Sequence, residues 1–366
     1  MSRRAPIGCL LCFALTAACG DDDGAATSPP VPPQPPDAAA PLDGSAAQDA
    51  AADDAADVAD TTPPADGGSL PDATPPPDAD ASSGSRPPNE DGAFVVARDG
   101  GTLPDATAVA FVPGLAGGTR APLVVLKHGF QLATSSYAVL AERIASHGFV
   151  VVGVDTAGGL LGGPTNADER DATVSVISWA LADAPFAASV DGSRIAVVGH
   201  SRGGKVATWV AASDARVSAA LLLDPVNGCG PGAGFTADCP DATSPAIAGA
   251  LAVPVGVMGE TQNGSGGFMP CAPLDQNYQT FYAAASAAPW AVEWTFTGAD
   301  HMDFTDDGGG LVGSFCPDGP DDDARVRAGI RTLAVAFLRR HLSGEVEMDA
   351  WLTGASLPPG VTTRGP

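Results

Sequence analysis

Residues Ile195–Ala207 read IAVVGHSRGGKVA, in which four apolar residues lead into a glycine and a serine follows two positions later. A sharp turn from a buried strand into a helix needs small residues on both sides of its tip, because a side chain there would strike the strand or the helix. Gly199 and Gly203 provide them around Ser201, in the pattern G-x-S-x-G. The stretch predicts a strand, a strained turn and a helix, with the Ser201 hydroxyl exposed. Ser201 is therefore a candidate nucleophile, and a tight turn with an idle serine is the alternative.

Beyond about residue 89, short apolar runs alternate with segments of helical period. Runs such as PLVVLKHG, GFVVVGVD and VSAALLLDP are mostly apolar and end at Gly, Asp or Asp-Pro, whereas ATVSVISWALAD and RVRAGIRTLAVAFLRRHL have helical spacing. Continuous apolar strands alternating with helices are typical of a mainly parallel sheet covered by helices on both faces. We therefore expect one α/β domain over residues 89–366, without an internal repeat.

The first 19 residues have the layout of an export signal. Arg3 and Arg4 precede an apolar run that is too short to cross a bilayer as a permanent helix, and small residues lead to Cys19. The segment resembles a bacterial lipoprotein signal, which implies that Cys19 is lipidated; plain secretion is the alternative. Gly20 rather than Asp after Cys19 favours the outer membrane. We expect an exported protein whose only contact with a membrane is this anchor.

Residues 20–88 consist mostly of Asp, Ala, Pro, Gly and Ser. Such a segment buries too little apolar surface to offset the entropy lost on ordering, so it predicts an extended, disordered tether. Its DAADDAADVAD run lacks the glycine turn and the ligand spacing of a calcium loop. The whole chain has a formal net charge of −25 and no basic stripe, which argues against nucleic acid as a partner.

A serine hydroxyl becomes a good nucleophile only when a base removes its proton, so a histidine must lie nearby. Of the five histidines, His147 and His341 stand near helix ends, where surface or capping positions are expected. The His200 side chain should point away from the tip of the turn, and His128 precedes the glycine of KHGF. His301 lies in the loop TGADHMDF, after the WAVEWTF strand and before the next long helix. That is where the chain order serine, acid, histidine puts the base, so His301 is the expected base.

The third member must be a carboxylate that follows the serine and precedes the histidine, at the carboxyl end of a strand. Asp224 ends SAALLLDP and Glu260 ends VPVGVMGE, and both satisfy this condition. Asp300 and Asp303 stand too close to His301 in the chain to fold back onto its ring. The pattern of residues alone leaves Asp224 and Glu260 as alternatives.

Four segments in order, GHSRGGK, LLLDPVNG, MPCAPLDQNYQTFY and DHMDFTDD, resemble the nucleophile, acid, cysteine-containing and histidine segments of the chlorophyllases. ASHGFVVVGVDT resembles the polyester hydrolases and cutinases of the same superfamily. The resemblance implies an α/β-hydrolase fold and makes Asp224 the acid. In the polyester hydrolases the acid comes one strand later, which keeps Glu260 as the alternative. Asp300 departs from the chlorophyllase pattern, which has glycine before the histidine.

Acyl transfer also needs two main-chain N–H donors for the oxyanion. Arg202, directly after the nucleophile, should provide one, and Phe130 in HGFQ, after the PLVVLKHG strand, should provide the other. The Phe130 side chain either lines the acyl pocket or packs in the core.

Four cysteines follow the export signal, and an even number in an oxidising compartment favours two disulfide bonds. We favour Cys229 with Cys239, beside Asp224, and Cys271 with Cys316, around the loops that flank His301. A zinc site is the alternative, but the sequence has neither a CxxC spacing nor a histidine cluster to support it.

These observations predict an exported, monomeric serine ester hydrolase with the triad Ser201, Asp224 and His301, and without a cofactor or metal. The stretch Pro225–Ala252 is short and rich in glycine, so we expect no large lid and an open site for hydrophobic or polymeric esters. An amidase, peptidase or acyltransferase with the same triad, and a catalytically inactive surface binding protein, are the alternatives.

Overall fold

The computed structural model describes residues 86–156, 163–230, 233–262, 264 and 270–366. The predicted signal with Cys19 and residues 20–85 of the predicted tether lie outside the described residues.

Within the described residues the strands form one sheet in the order β1-β2-β4-β3-β5-β6-β7-β8-β9. The six strands from β4 to β8 in this order are parallel to their neighbours, whereas β1, β2 and β9 pair antiparallel. The strands are β1 Val96–Thr102, β2 Thr107–Pro113, β3 Ala121–Lys127, β4 Val150–Asp155, β5 Val190–His200, β6 Val217–Leu223, β7 Val255–Glu260, β8 Ala291–Phe296 and β9 Val361–Arg364.

Helices cover both faces of this sheet. The α-helices of the described residues are α1 Ala138–Ser146, α2 Asn166–Ala182, α3 Arg202–Ser213, α4 Tyr278–Ala284, α5 Gly310–Gly313, α6 Asp323–Leu342 and α7 Asp349–Leu352. Buried side chains of α2, α3 and α4 belong to one apolar cluster, and those of α1 and α6 belong to a second. The predicted fold class, a mainly parallel sheet between two helical layers, is confirmed.

The central strands show why their sequences are continuously apolar. On β5, Ile195 and Val197 belong to one cluster, while Ala196 and Val198 belong to the other. Successive side chains of a strand point to opposite faces, so a strand with a helical layer on each side buries every residue. The carboxyl ends of the parallel strands share one edge of the sheet, where the candidate site lies.

Two elements at the carboxyl end of the chain, α7 and β9, were not expected from the sequence. β9 pairs with β8 as an edge strand, and three of its four residues are exposed, so it lacks the apolar pattern of the central strands. In Pro225–Ala252, the described residues contain only a three-residue 3-10 helix, Ala248–Ala250, which agrees with the predicted absence of a large helical lid. Within the described ranges, no helix combines the length and hydrophobicity needed to cross a membrane.

Candidate active site

Ser201 stands at the tip of a tight turn between β5 and α3. Its φ of 55° and ψ of −123° lie in the left-handed region, which non-glycine residues rarely adopt. A Cβ atom on Gly199 would lie 2.1 Å from the main-chain oxygen of Gly203, and a Cβ atom on Gly203 would lie 2.2 Å from that of Lys127. The G-x-S-x-G pattern is therefore required by close backbone packing.

Main-chain hydrogen bonds hold this turn against the neighbouring strand. The Ser201 N–H donates to the carbonyl of Leu223 at 3.0 Å, and the Ser201 carbonyl accepts from Val226 N–H at 3.1 Å. Leu223 ends β6 and directly precedes Asp224, so Ser201 and Asp224 occupy adjacent strand ends. The Ser201 side chain remains partly exposed.

Asp224 and His301 form a buried pair beside this turn. The His301 Nδ1 lies 2.5 Å from Asp224 Oδ2, and neither side chain is more than 5% exposed. Burial raises the pKa of the Asp224 carboxyl, and the hydrogen bond with His301 acts in the opposite direction. Glu260, at the end of β7, instead accepts a hydrogen bond from the main-chain N–H of Gln262. Asp224 is thus the carboxylate that contacts His301.

His301 begins a short 3-10 helix, His301–Phe304, whose N-terminus is held by a capping box of Asp300 and Asp303. Asp300 accepts a hydrogen bond from Met302 N–H at 2.8 Å, and Asp303 accepts one from Asp300 N–H at 3.0 Å. Burial raises the pKa of Asp303 to about 6. Asp300, which departs from the chlorophyllase pattern, therefore serves to hold the backbone that carries His301.

The main-chain N–H groups of Phe130 and Arg202 face no acceptor within the described residues. Arg202 is the first residue of α3, and the first N–H groups of a helix have no partner inside it. The Phe130 side chain is 53% exposed, and its ring centroid lies 5.6 Å from the Arg202 guanidinium carbon. The alternative that Phe130 packs in the core is wrong.

A largely buried ionic cluster of Lys127, Glu169 and Arg202, which was not predicted from the sequence, lies next to these N–H groups. Glu169, on α2, is 3.3 Å from Lys127 Nζ and 2.5 Å from Arg202 Nε. Burial lowers the pKa of Lys127 to about 8, although Glu169 acts in the opposite direction. Because Lys127 ends the strand before the Phe130 loop and Arg202 begins α3, Glu169 connects both backbone segments. The sequence feature that could have indicated this cluster is Lys127, a lysine at the end of an otherwise apolar strand.

Three other histidines, His128, His147 and His341, are buried, cap a helix or pack against aromatic rings. His128 is buried, and burial lowers its pKa to about 3. His147 is the C-cap residue of α1, as expected. His341, in the last turn of α6, is half-buried, and its ring packs 4.5 Å from that of Trp290 and 4.7 Å from that of Phe337.

Two disulfide bonds join the four cysteines of the domain. Cys229 is bonded to Cys239 and Cys271 to Cys316, the pairings that the sequence favours. The zinc alternative is wrong, since all four sulfur atoms are in disulfides. Across the described residues, no group of three or more His, Cys, Asp or Glu side chains could hold a metal ion.

A serine at a strand-to-helix turn, at the carboxyl edge of a parallel sheet and beside a carboxylate-bound histidine, defines the α/β hydrolases. Within that class, the chain belongs to the chlorophyllase family, whose model matches residues 100–359. It is a serine-type carboxylic ester hydrolase.

Individual relatives agree with this assignment. The chain is 32% identical to Chlorophyllase-1 of Arabidopsis thaliana over 61% of its own length and 73% of that protein, and 30% identical to Chlorophyllase-2 of the same plant over 61% and 74%. It is 36% identical to Cutinase est2 of Thermobifida alba, over only 28% of this chain and 34% of that protein.

Proposed function

We propose that the protein is an exported ester hydrolase that acts through Ser201, Asp224 and His301 and forms an acyl-enzyme. The hydrogen bond between His301 Nδ1 and Asp224, beside the strained Ser201 turn, carries this proposal. It orients the imidazole so that Nε2 is the nitrogen available to the serine.

In the proposed reaction His301 takes the Ser201 proton while the serine oxygen attacks the ester carbonyl. The same proton then passes to the leaving alcohol as the carbon–oxygen bond breaks, which leaves the acyl group on Ser201. A water molecule, deprotonated by His301, attacks the acyl-enzyme; the bond between the acyl carbon and the Ser201 oxygen breaks, His301 returns the proton to that oxygen, and the acid leaves. Asp224 stabilises the imidazolium in both steps.

The main-chain N–H groups of Phe130 and Arg202 are the proposed oxyanion donors. Arg202 follows Ser201 in the chain, and Phe130 follows Gly129. A Cβ atom on Gly129 would lie only 3.3 Å from the Ser201 Cβ. This approach brings the Phe130 loop against the nucleophile. Two fixed donors at this position stabilise the charge that develops on the carbonyl oxygen.

Hydrolysis of p-nitrophenyl butyrate and of the matched anilide tests the proposal. Ser201→Ala should reduce kcat about 10⁶-fold. Asp224→Asn should reduce it about 10⁴-fold, because the imidazole loses its orienting partner. Glu260→Gln is the matched control and should retain most of the activity. A Glu260→Gln loss with an active Asp224→Asn would make Glu260 the acid, and faster anilide cleavage would make the protein an amidase.

We further propose a hydrophobic, polymeric ester as substrate. Five of the eight exposed large apolar side chains in the described part of the chain lie in loops or in α5, at the carboxyl edge of the sheet or beside the disulfides. We call them the apolar rim: Phe130, Phe235, Leu274, Leu311 and Phe315. Each is more than half exposed, and such a concentration of apolar surface around a site favours contact with an apolar surface.

Leu311→Ser and Phe315→Ser separate surface contact from chemistry. Hydrolysis of an insoluble aliphatic polyester should fall several-fold in each variant, while the hydrolysis of p-nitrophenyl acetate stays unchanged. Val346→Ser is the control, since Val346 is exposed beyond the other end of α6. Equal polyester hydrolysis by all three variants would contradict a role for the rim.

Export and lipidation at Cys19 complete the proposal. Two disulfides support an oxidising compartment, and the sequence of residues 1–19 supports a lipoprotein signal. Cells that express the protein should incorporate labelled palmitate into it, and Cys19→Ser should abolish the label. A labelled Cys19→Ser protein would show that lipid is attached elsewhere.

A further inference from the structure

His200 connects the two loops that carry the proposed catalytic groups. Its side chain is buried, with Nδ1 2.7 Å from the Tyr137 hydroxyl oxygen and Nε2 3.1 Å from the main-chain oxygen of His301. The Tyr137 hydroxyl also accepts a hydrogen bond from Gly129 N–H at 3.0 Å. One chain of hydrogen bonds thus runs from the Phe130 loop to the backbone of His301.

The chemistry of the partners fixes the direction of every hydrogen bond in this chain. A carbonyl oxygen only accepts, so His200 Nε2 must carry the proton that bonds His301. Burial lowers the pKa of His200 well below its ordinary value, so the ring is neutral and Nδ1 is an acceptor. Burial raises the pKa of Tyr137, so its hydroxyl keeps the proton that it donates to Nδ1.

We propose that Tyr137 and His200 are positioning residues of the hydrolysis: the Tyr137 hydroxyl fixes the orientation of the His200 ring, and the Nε2–H of that ring holds the His301 backbone in register with Ser201. The inference rests on the proposed function, because that function assigns the base to His301. Ring contacts support the placement, since the His200 and His301 ring centroids lie 4.6 Å apart and the His200 ring stacks on that of Phe304.

Removal of the Tyr137 hydroxyl has consequences at both ends of the chain. Gly129 N–H loses its acceptor, which frees the Phe130 loop. His200 Nδ1 loses its donor, so the ring keeps only its Nε2–H bond to the His301 carbonyl and is no longer fixed at its other side. Small displacements of catalytic groups reduce the rate of the chemical step strongly, so kcat should fall more than KM rises.

Kinetics on p-nitrophenyl butyrate test the positioning role. Tyr137→Phe should lower kcat about 10–100-fold with little change in KM. Tyr282→Phe is the matched control; its ring contacts the Arg364 guanidinium far along the sheet, and it should behave as wild type. A Tyr137→Phe variant with wild-type kcat would overturn the proposal.

Two substitutions of His200 test its two hydrogen bonds separately. The longer Gln side chain puts an amide N–H where Nε2 lies and keeps the bond to His301, whereas the shorter Asn side chain reaches only Tyr137. His200→Gln should therefore retain more kcat than His200→Asn at similar thermal stability. Equal kcat values for the two variants would overturn the link to His301.

Nitrogen-15 NMR of the imidazoles determines the tautomer of His200 independently of enzyme activity. In the wild-type protein at pH 7, His200 should have a protonated Nε2 and an unprotonated Nδ1 that accepts a hydrogen bond, and Tyr137→Phe should shift the Nδ1 resonance while Nε2 stays protonated. A protonated Nδ1 in the wild type would overturn the proposal even if the enzyme is active. Failure of the proposed function is distinct, since it appears as an active Ser201→Ala protein.

Discussion

Replacing Glu169 by glutamine should destabilise the protein in a way that depends on pH. The substitution keeps the shape of the side chain but removes the negative charge that lies between Lys127 and Arg202. Both cations lose their charged partner, yet they respond differently. Lysine can give up its proton, whereas arginine cannot.

The structure limits the size of each contribution. Burial already lowers the pKa of Lys127 to about 8, and without Glu169 it falls further until the lysine is neutral at pH 7. The loss from Lys127 is therefore limited to the free energy of deprotonating it at pH 7, one pH unit below its pKa of about 8, which is about 1 kcal/mol. The Arg202 side chain is 22% exposed, so water partly replaces Glu169, and its loss costs about 1 kcal/mol. The free energy of unfolding should fall by about 2 kcal/mol at pH 7.

At pH 9 the same substitution should cost less. The pKa of Lys127 is lower in the folded state, which therefore binds fewer protons than the unfolded state, so its contribution to stability rises with pH between about 8 and 10.5. At pH 9 Lys127 is already mostly neutral in the folded wild-type protein, and Glu169 no longer stabilises a charge there. Only the contribution of Arg202 remains, about 1 kcal/mol.

Urea unfolding at pH 7 and pH 9, followed by tryptophan fluorescence, measures both differences. Glu142→Gln is the control, because Glu142 pairs with Arg98 on the surface and should contribute less than about 1 kcal/mol at either pH. A loss for Glu169→Gln that is equal or larger at pH 9 would refute this reasoning, and so would wild-type stability at pH 7.

Two further predictions concern the disulfides and the turn. The double substitution Cys271→Ser and Cys316→Ser opens a loop with a sequence separation of 45 and should lower the free energy of unfolding by about 4 kcal/mol. Removal of the Cys229–Cys239 bridge, with a separation of 10, should lower it by about 3 kcal/mol. Urea unfolding of both variants measures the two losses, and the reverse order would contradict the loop-entropy argument. Gly199→Ala should abolish ester hydrolysis. Gly249→Ala is the control and should stay active, because the nearest atom to a Cβ there would be 3.7 Å away. An active Gly199→Ala protein would contradict the turn geometry.

The turn and the central strands could be predicted because local requirements determine them. A tight approach of backbone at Gly199 and Gly203 tolerates only glycine, and a strand buried on both faces must be apolar throughout. β9 escaped prediction because an edge strand with exposed side chains carries no such pattern.

The choice between Asp224 and Glu260 could not be made from the residue pattern, since both end neighbouring parallel strands. The difference arises from where the His301 loop packs, which depends on contacts distant in sequence. Glu169 and Tyr137 were missed for the same reason. Their partners lie on other elements, and nothing in the adjacent sequence marks them.

The start of the described chain lies at the end of α6 that is remote from the His301 loop. The carbonyl of Arg86 accepts a hydrogen bond from Arg339 Nη1 at 2.6 Å, and Arg339 is 16 residues beyond the first residue of α6, about 25 Å along its axis. Asp321, just before α6, donates its N–H to Gly298 in the loop that leads to His301. A support coupled through the amino-terminal side of the domain would therefore leave the edge of the sheet that carries the candidate site facing outward, so immobilised protein should keep access to bulky substrates.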